Sequence, residues 1–219
     1  MNKPVIVYGN RSLGKMLWMD TKESKDFLIK AFIVDEAYLN EDRLFCGCPQ
    51  VSLSEMLKTY PPNEYDLIVC DGTNIVKKEE PLFLKVKDLG YSFRNYISPR
   101  SIVSSDCIMG VNNIIFEQVY IGPNGVMGDN NLIRQQVYLG HDFNIGNHSI
   151  FNPGVRIGGF LTCESYVFVG MGATVIDHIK LENHSIIGAG SVVIKSTEID
   201  SINVGNPSRN IRGGKHDSD

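Results

Sequence analysis

The chain has 219 residues, of which 21 % are charged, and a net charge of −4 at pH 7. A chain with this slightly negative net charge is not expected to carry a basic patch that binds nucleic acid or an anionic membrane surface. The sequence contains no run of about 18 apolar residues, and its N-terminus lacks the charged-then-apolar pattern of a secretion signal. We therefore expect a cytoplasmic protein that binds neither nucleic acid nor membranes.

The five cysteines indicate free thiols rather than disulfides or a metal site. Their number is odd, and one residue separates Cys46 from Cys48, where a redox or zinc motif has two. We expect reduced cysteines and no bound metal.

Residues 1–95 alternate short apolar runs with helical patterns. The predicted strands cover residues 4–8, 30–34 and 66–70. The predicted helices cover residues 12–20, with Ser12 as N-cap, 52–60, with a Ser52–Glu55 capping box, and 74–89, ended by Gly90. This order predicts a small doubly wound sheet of βαβ units, whose ligand would bind at the carboxyl ends of the strands.

The first predicted turn contains two glycines, Gly9 and Gly14. It matches the G-x-x-x-x-G-K pattern of nucleotide-binding loops, but Met16 replaces the hydroxyl that holds magnesium, and Arg11 occupies the second glycine position of the dinucleotide motif. Two interpretations remain open. The glycines allow a tight turn with close helix packing, or the N–H groups at the helix N-terminus hold a nucleotide diphosphate.

A repeat of six residues begins at Ile97. Every sixth residue from Ile97 to Val193 is apolar, 17 positions in all, and glycine follows 8 of them. This period predicts a parallel β-helix over residues 96–212, in which three hexads form a coil of about 18 residues. One aliphatic side chain per hexad should point inward and stack on the residue one coil away. The polar residues 213–219 are expected to form a disordered tail.

The uninterrupted hexads, ending in "IIGAGSVVIKSTEIDSINVGNPSRNIR", resemble the hexapeptide-repeat acyltransferases. A small N-terminal α/β domain before them resembles the subgroup of sugar-nucleotide acetyltransferases, which includes the bacillosamine-pathway N-acetyltransferase and the sialic acid O-acetyltransferase. The resemblance implies a Rossmann-like domain followed by a left-handed β-helix. It also implies that the first domain holds a sugar nucleotide through Gly9, Asn10, Arg11, Ser12, Gly14, Asp35, Glu36, Asp71, Gly72 and Thr73.

His141 stands apart from the other four histidines. His148, His178 and His184 share one hexad slot, an outward corner where a solvated imidazole is expected, and His216 lies in the tail. In contrast, "LGHDFNIG" resembles the subgroup motif "V-E-H-D-C-x-I-G", whose histidine is the catalytic base. An imidazole suits proton transfer from an attacking amine at neutral pH.

Two residues are candidates to support this base. Asp142 would orient the imidazole, as a carboxylate does in other base dyads. "PGVRIGG" resembles a motif whose last glycine, Gly159 here, would donate its N–H to the oxyanion. Gly159 is 18 residues beyond His141 and is therefore expected to lie one coil away, next to it. Ile150 and Arg134 depart from the subgroup, which has a histidine and an asparagine at those positions, so neither role is carried over.

The resemblance implies acetyl-CoA as co-substrate and no metal. The closing "VGNPSRNIR" resembles the family's "V-G-N-P-A-K-x-I-R", so two arginines are candidates to pair with CoA phosphates; the segment equally suits a cap on the helix end. The candidate cofactor contacts are Asn152, Gly154, Gly172, Ala173, Ala189, Gly190, Arg209 and Arg212.

Together these features predict N-acetylation of a UDP- or dTDP-linked 4-amino-4,6-dideoxyhexose for bacterial surface glycans such as the O-antigen of lipopolysaccharide. Alternatives are O-acetylation of a sialic acid-like sugar, a zinc carbonic anhydrase, which the placement of His178 and His184 on different faces disfavours, and a scaffold without catalytic activity. Apolar residues assigned to the flat faces of the helix predict oligomerisation, and the resemblance implies a homotrimer, because the family packs three such helices around an axis. These residues are Tyr120, Tyr138, Val155, Val167 and Phe168.

Overall fold

The structure is a computed structural model that describes residues 3–22, 27–70 and 80–212. These residues form two compact units, the first ending at Asn95 and the second beginning at Tyr96. Three predicted substrate-binding residues (Asp71, Gly72 and Thr73), part of the predicted helix 74–89 and the expected tail 213–219 lie outside the described residues.

The first unit contains a five-stranded mixed sheet in the order β3-β4-β2-β1-β5. Its strands are β1 (Val5–Tyr8), β2 (Ile29–Val34), β3 (Leu44–Phe45), β4 (Cys48–Ser52) and β5 (Asp66–Val69). Neighbouring strands are parallel except for β3, which pairs antiparallel with β4. The three predicted strands are confirmed to within one residue at each end. The β3–β4 hairpin was missed because its first strand has two residues and its second contains Pro49.

The helices of the first unit are α1 (Ser12–Thr21), a 3-10 helix (Glu36–Tyr38), α2 (Leu53–Thr59) and α3 (Leu82–Val86). Arg11 precedes α1 without a side-chain cap, so the prediction that Ser12 is the N-cap is wrong. The predicted capping box of α2 is confirmed. The Ser52 hydroxyl accepts the Glu55 N–H, and the Glu55 carboxylate accepts the Ser52 N–H at 3.0 Å.

Ser52→Ala should lower the free energy of unfolding by about 1 kcal/mol, because it leaves the N–H of Glu55 at the start of α2 without its cap. Chemical denaturation monitored by circular dichroism measures the change. Lys58→Ala, an exposed substitution in the last turn of α2, is the control and should change stability by less than about 0.5 kcal/mol.

The second unit is a parallel β-solenoid built from short strands. Three sheets run along it, in the orders β22-β19-β16-β13-β10-β7, β20-β17-β14-β11-β8 and β24-β23-β21-β18-β15-β12-β9-β6. We call these the first, second and third sheets. The strands are β6 (Tyr96–Ile97), β7 (Ile102–Val103), β8 (Ile108–Met109), β9 (Ile114–Ile115), β10 (Tyr120–Ile121), β11 (Val126–Met127), β12 (Leu132–Ile133), β13 (Tyr138–Leu139), β14 (Asn144–Ile145), β15 (Ile150–Phe151), β16 (Arg156–Ile157), β17 (Thr162–Cys163), β18 (Phe168–Val169), β19 (Thr174–Val175), β20 (Lys180–Leu181), β21 (Ile186–Ile187), β22 (Val192–Val193), β23 (Ile202–Val204) and β24 (Arg209–Asn210).

The predicted register of the repeat is confirmed. Leu139 pairs with Ile157, 18 residues on, and 14 of the 17 predicted inward residues, from Ile115 onward, are buried. Ile97, Val103 and Met109 are partly exposed; they belong to the first coil, which has another coil on only one side.

Each hexad also has a second inward position, two residues before the first, which the sequence prediction missed. Its apolar occupants, each at most 5 % exposed, are Val119, Val137, Phe143, Val155, Leu161, Val167, Ala173 and Ile179. The expectation that Val155 and Val167 lie on the outer faces is therefore wrong, because both side chains pack inside the solenoid.

The corners adopt a left-handed backbone conformation at the third residue past the first inward position. Asn112, Asn124, Asn130 and Asp142 hold this slot with φ between 53° and 58°, as expected of residues that tolerate that conformation. On the corner after the second sheet, Asn131 donates its backbone N–H to the side chain of Asn113, one coil away, at 2.9 Å. The buried polar side chains of this corner thus form hydrogen bonds from one coil to the next.

The solenoid ends with a change of register and direction. Ile186 pairs with Ile202, 16 residues on, and β23 then pairs antiparallel with β24. Among the described residues, no helix has the length and apolar character needed to cross a bilayer.

Candidate active site

His141 and Asp142 lie together on the corner that follows the first sheet, which we call the site corner. Asp142 occupies the left-handed slot with φ 53°, and its Oδ2 lies 2.7 Å from Nδ1 of His141. Asn124, one coil away, donates to the other carboxylate oxygen at 3.2 Å. Because an ionised carboxylate can only accept, Nδ1 carries the proton and Nε2 is the free basic nitrogen.

The imidazole of His141 is accessible at the surface. Its side chain is 52 % exposed, and that of Asp142 is 37 % exposed. The ring meets Phe160 nearly at right angles, with centroids 5.1 Å apart. Asp142 therefore orients the base, and the imidazole remains open to a ligand.

Gly159, one coil from His141, packs against the imidazole. A Cβ atom at this position would lie 2.7 Å from Cε1 and 2.8 Å from Nε2 of His141, closer than real Cβ contacts. Only glycine leaves the ring in its observed place. The sequence prediction that these two residues are neighbours is thus met in the structure.

The N–H of Gly159 has no hydrogen-bond acceptor among the residues that the structure describes, although the residue is buried. At the equivalent slot of the corner after the second sheet, side chains one coil further on accept such N–H groups: Asp129 accepts from Val111 at 2.8 Å, and Asn147 accepts from Asp129 at 2.7 Å. An acceptor that a ligand brings would therefore displace no hydrogen bond of the Gly159 amide within the described residues.

A shallow, open depression adjoins this corner on the outer face of the first sheet. Its volume is about 460 Å³, and its lining includes Tyr138, Arg156, Gly158, Thr174 and Asp177. The depression gives a ligand access to the surface next to Gly159.

Three of the predicted cofactor contacts form a column on the corner that precedes the first sheet. Gly154, Gly172 and Gly190 follow one another at 18-residue intervals with φ of 74°, 67° and 67°. Added Cβ atoms at Gly172 and Gly190 would meet nothing within 4 Å, and Ala189 beside them is exposed. This corner therefore presents a column of glycines along the edge of the sheet opposite to His141, with Met171, 60 % exposed, beside it.

Two predicted cofactor contacts need correction. Ala173 is fully buried at the second inward position, so its side chain cannot reach a ligand. Asn152 is 8 % exposed, and its side-chain amide donates to the carbonyl of Val169 at 2.9 Å. Sequence spacing missed the burial of Ala173 because it did not reveal the second inward position.

Arg209 and Arg212 lie at the closing end of the solenoid, where both residues are exposed. Arg212 donates from its guanidinium to the carbonyl of Asp200 at 3.4 Å and from its N–H to Asn210 at 3.0 Å. Neither residue is near His141 along the stack, since β24 lies beyond the last full coil.

In the first unit, packing alone accounts for both glycines of the first turn. Gly9 has φ 121°, and a Cβ atom there would lie 2.7 Å from the carbonyl oxygen of Cys70; a Cβ atom at Gly14 would collide with the Gly9 carbonyl. The turn also meets the 3-10 helix. Asn10 donates to the Tyr38 carbonyl at 3.2 Å, and the Arg11 guanidinium lies 5.4 Å from the Tyr38 ring centre.

The acidic residues after β2 already have partners within the protein. Asp35 accepts from Lys85 at 2.6 Å and from the Tyr8 hydroxyl at 3.0 Å, and Glu36 accepts from Ser54 at 2.6 Å. The hydrogen bond from Lys85 is the main reason why the pKa of Asp35 lies below its ordinary value. The end of β2 is thus a polar cluster in which Lys85 balances the charge of Asp35.

Lys85→Met should raise the pKa of Asp35, because it removes the main cause of the depression. A depressed carboxyl pKa stabilises the fold above the unfolded value, and this contribution is lost as the pH falls through the folded value. The variant should therefore lose less stability on acidification than the parent. Carboxyl NMR titration measures the shift, and Lys87→Met, which changes an exposed lysine, should leave it unchanged.

The other three histidines of the described residues lie on two corners. His148 is only 9 % exposed, which corrects the expectation that it is solvated; its Nδ1 lies 2.9 Å from the amide nitrogen of Asn130. His148 and His184 each stack on Tyr166 at 4.8 Å, and His178 stacks on Phe160 at 4.5 Å. Within residues 3–22, 27–70 and 80–212, no group of three or more His, Cys, Asp or Glu could hold a metal ion.

No protein-family model and no curated protein matches the sequence, but solved structures match the fold over most of the chain. The acetyltransferase domain of PglB from Neisseria gonorrhoeae is 18 % identical, with a TM-score of 0.84 over 96 % of this chain and 100 % of that one. A mutant of the GDP-perosamine N-acetyltransferase from Caulobacter crescentus, solved with CoA and GDP-perosamine, is 22 % identical, with a TM-score of 0.82 over 96 % and 97 %. WeeI from Acinetobacter baumannii is 17 % identical, with a TM-score of 0.69 over 96 % and 100 %. At these identities the likeness establishes a shared fold, in which a small N-terminal sheet is followed by a β-solenoid.

Proposed function

We propose that this protein is an acetyl-CoA-dependent N-acetyltransferase that acts on a nucleotide-linked amino sugar. The observation that carries this proposal is the site corner, where Asp142 orients the exposed imidazole of His141 beside the unpartnered N–H of Gly159. The shared fold supports it, since the similar Caulobacter structure contains CoA with GDP-perosamine and the gonococcal domain was also solved with acetyl-CoA.

The site corner supplies the two functions that aminolysis of a thioester needs. Nε2 of His141 accepts the proton that the amine loses as its nitrogen bonds to the acetyl carbonyl carbon. The N–H of Gly159 stabilises the negative charge on the carbonyl oxygen. The carbon–sulfur bond then breaks, and His141 returns the proton to the departing thiolate, so that the products are an amide and a free thiol. Asp142 stabilises the imidazolium between these steps.

We assign binding of the sugar nucleotide to the first unit, residues 1–95, as a Rossmann-like domain. Its ligand would meet the first turn, Gly9 to Gly14, at the carboxyl ends of parallel strands. Because Lys85 already neutralises Asp35, an anionic diphosphate would not face an unpaired carboxylate there. The preferred acceptor is a 4-amino-4,6-dideoxyhexose on UDP or dTDP, with GDP included because of the Caulobacter relative. Such an enzyme would act in the cytoplasm, in the synthesis of bacterial surface glycans.

The proposal includes a left-handed helix and a homotrimer. Exposed apolar side chains lie on the outer faces of two sheets: Ile102 is 67 % exposed, Tyr138 is 44 % exposed, Ile108 is 67 % exposed and Val126 is 44 % exposed. Association of three solenoids would cover such surfaces. Sedimentation at micromolar concentration should give three times the 24.4 kDa chain mass, and a monomer would contradict this part of the proposal.

The activity is tested by incubating the protein with acetyl-CoA and UDP-, dTDP- or GDP-linked amino sugars, following thiol release and the mass of the product. We expect acetylation of at least one amino sugar and none of the matched sugar nucleotides that carry a hydroxyl in place of the amine. Turnover of sialic acid-like sugars alone would replace N-acetylation by O-acetylation, and no turnover of any acceptor would remove the proposal.

A further inference from the structure

Phe160 occupies a corner position that does not favour a bulky apolar residue. It has φ 56°, the left-handed slot that Asn124 and Asp142 hold on the same corner. A large side chain in this conformation costs on the order of 1–3 kcal/mol. Burial does not offset this cost, because the residue is 46 % exposed. Backbone conformation and burial therefore give no reason for phenylalanine at this position.

The surroundings of the ring connect it to the site corner. Phe160 follows Gly159, whose N–H is the proposed oxyanion donor. Its ring meets the imidazole of His141 at 86° with centroids 5.1 Å apart, and it stacks on His178 at 4.5 Å with an interplanar angle of 8°. The aromatic surface thus begins next to the imidazole of His141 and extends along the corner to the next coil.

Tyr166 is another aromatic residue in this left-handed slot, and residues of its own chain stack on its ring. It has φ 61° on the corner after the second sheet. His148 and His184 stack on it at 4.8 Å each, so residues of its own chain flank the ring along the stack. Phe160 has one such parallel neighbour and keeps a larger exposed surface.

We propose that Phe160, stacked on His178, selects the acyl acceptor by packing its exposed ring against the apolar face of the sugar. This inference rests on the proposed function and specifies the acceptor. A sugar carbon without its hydroxyl buries apolar surface against the ring without loss of a hydrogen bond, whereas a hydroxylated carbon loses its hydration there. Apolar discrimination of this kind amounts to roughly 10–100-fold in kcat/KM.

Phe160→Asn tests this assignment, because asparagine suits the left-handed slot and removes the ring. With wild-type protein, kcat/KM should favour a deoxy amino-sugar nucleotide over its hydroxylated counterpart by about 10-fold or more. The variant should lose this preference through a higher KM for the deoxy acceptor, with the KM for acetyl-CoA and the pH profile of kcat unchanged. Its melting temperature should stay within about 4 °C of wild type.

Tyr166→Asn is the matched control, since it removes an aromatic ring from the same slot of another corner. It should lower the melting temperature, because two stacking contacts are lost, and leave the acceptor preference intact. An unchanged preference in Phe160→Asn would overturn the inference. An equal loss of kcat for both acceptors, together with a shifted pH profile, would also overturn it, because the ring would then act by positioning His141. Absence of any turnover of amino-sugar nucleotides by the wild type would overturn the proposed function itself, and this inference with it.

Discussion

His141→Ala should lower kcat for acetyl transfer by about 10²–10⁴-fold, the range typical of losing a general base. The effect should fall on kcat, because the imidazole accepts a proton only as the amine attacks. Stability should change little, since the side chain is 52 % exposed. Thiol release at saturating acetyl-CoA and acceptor, with a thermal melt of the same sample, measures both quantities.

Two variants show whether the loss comes from this imidazole in this orientation. His184→Asn removes a histidine from another corner, in a slot that suits asparagine, and should retain the wild-type kcat. Asp142→Asn also suits its left-handed slot but replaces the ionised acceptor of the Nδ1 proton. We expect kcat to fall there as well, because the tautomer is no longer fixed. Wild-type kcat in His141→Ala would exclude the imidazole as the base.

Gly159→Ala should lower kcat by about 10²-fold, the loss that a displacement of roughly 1 Å can cause in an active site. The added methyl group would lie 2.7 Å from Cε1 of His141, so the ring must move. The backbone at residue 159 is outside the left-handed region, hence alanine adds no strain of its own. Steady-state kinetics and a thermal melt separate a displaced imidazole from a damaged fold.

The double variant His141→Ala, Gly159→Ala distinguishes a steric effect on the imidazole from other causes. If the methyl group acts through the ring, it should cost little more once the ring is gone, so the two effects should be strongly non-additive. Full additivity would mean that residue 159 acts independently of His141.

The solenoid was predictable because every hexad repeats the same packing arrangement. An apolar residue at every sixth position fixes which side chains face inward, and the pairing of Leu139 with Ile157 follows from counting. The second inward position was not evident from the sequence, because polar residues occupy it in several hexads. Asn113, Asn131 and Ser149 are buried there on one corner, where they satisfy backbone groups of neighbouring coils.

The candidate site was predictable in part. The 18-residue coil places Gly159 next to His141 by arithmetic alone, whereas their chemical roles came from resemblance. The reach of Asp142 to Nδ1 depends on a φ of 53°, which residue types do not determine uniquely. Phe160 gave no sequence signal, because an exposed aromatic residue in a corner becomes visible only when its neighbours are known.

The strand β24, which turns back along β23, affects how the molecules behave in solution. A stack of parallel coils ends in an open row of N–H and C=O groups that matches the start of another stack, so identical molecules could add end to end into fibres. Because β24 pairs antiparallel with β23, as in the pairing of Val204 with Arg209, it covers part of that row and prevents a parallel strand from adding there. Truncation before residue 205 should therefore convert a discrete particle into one that polymerises along its axis.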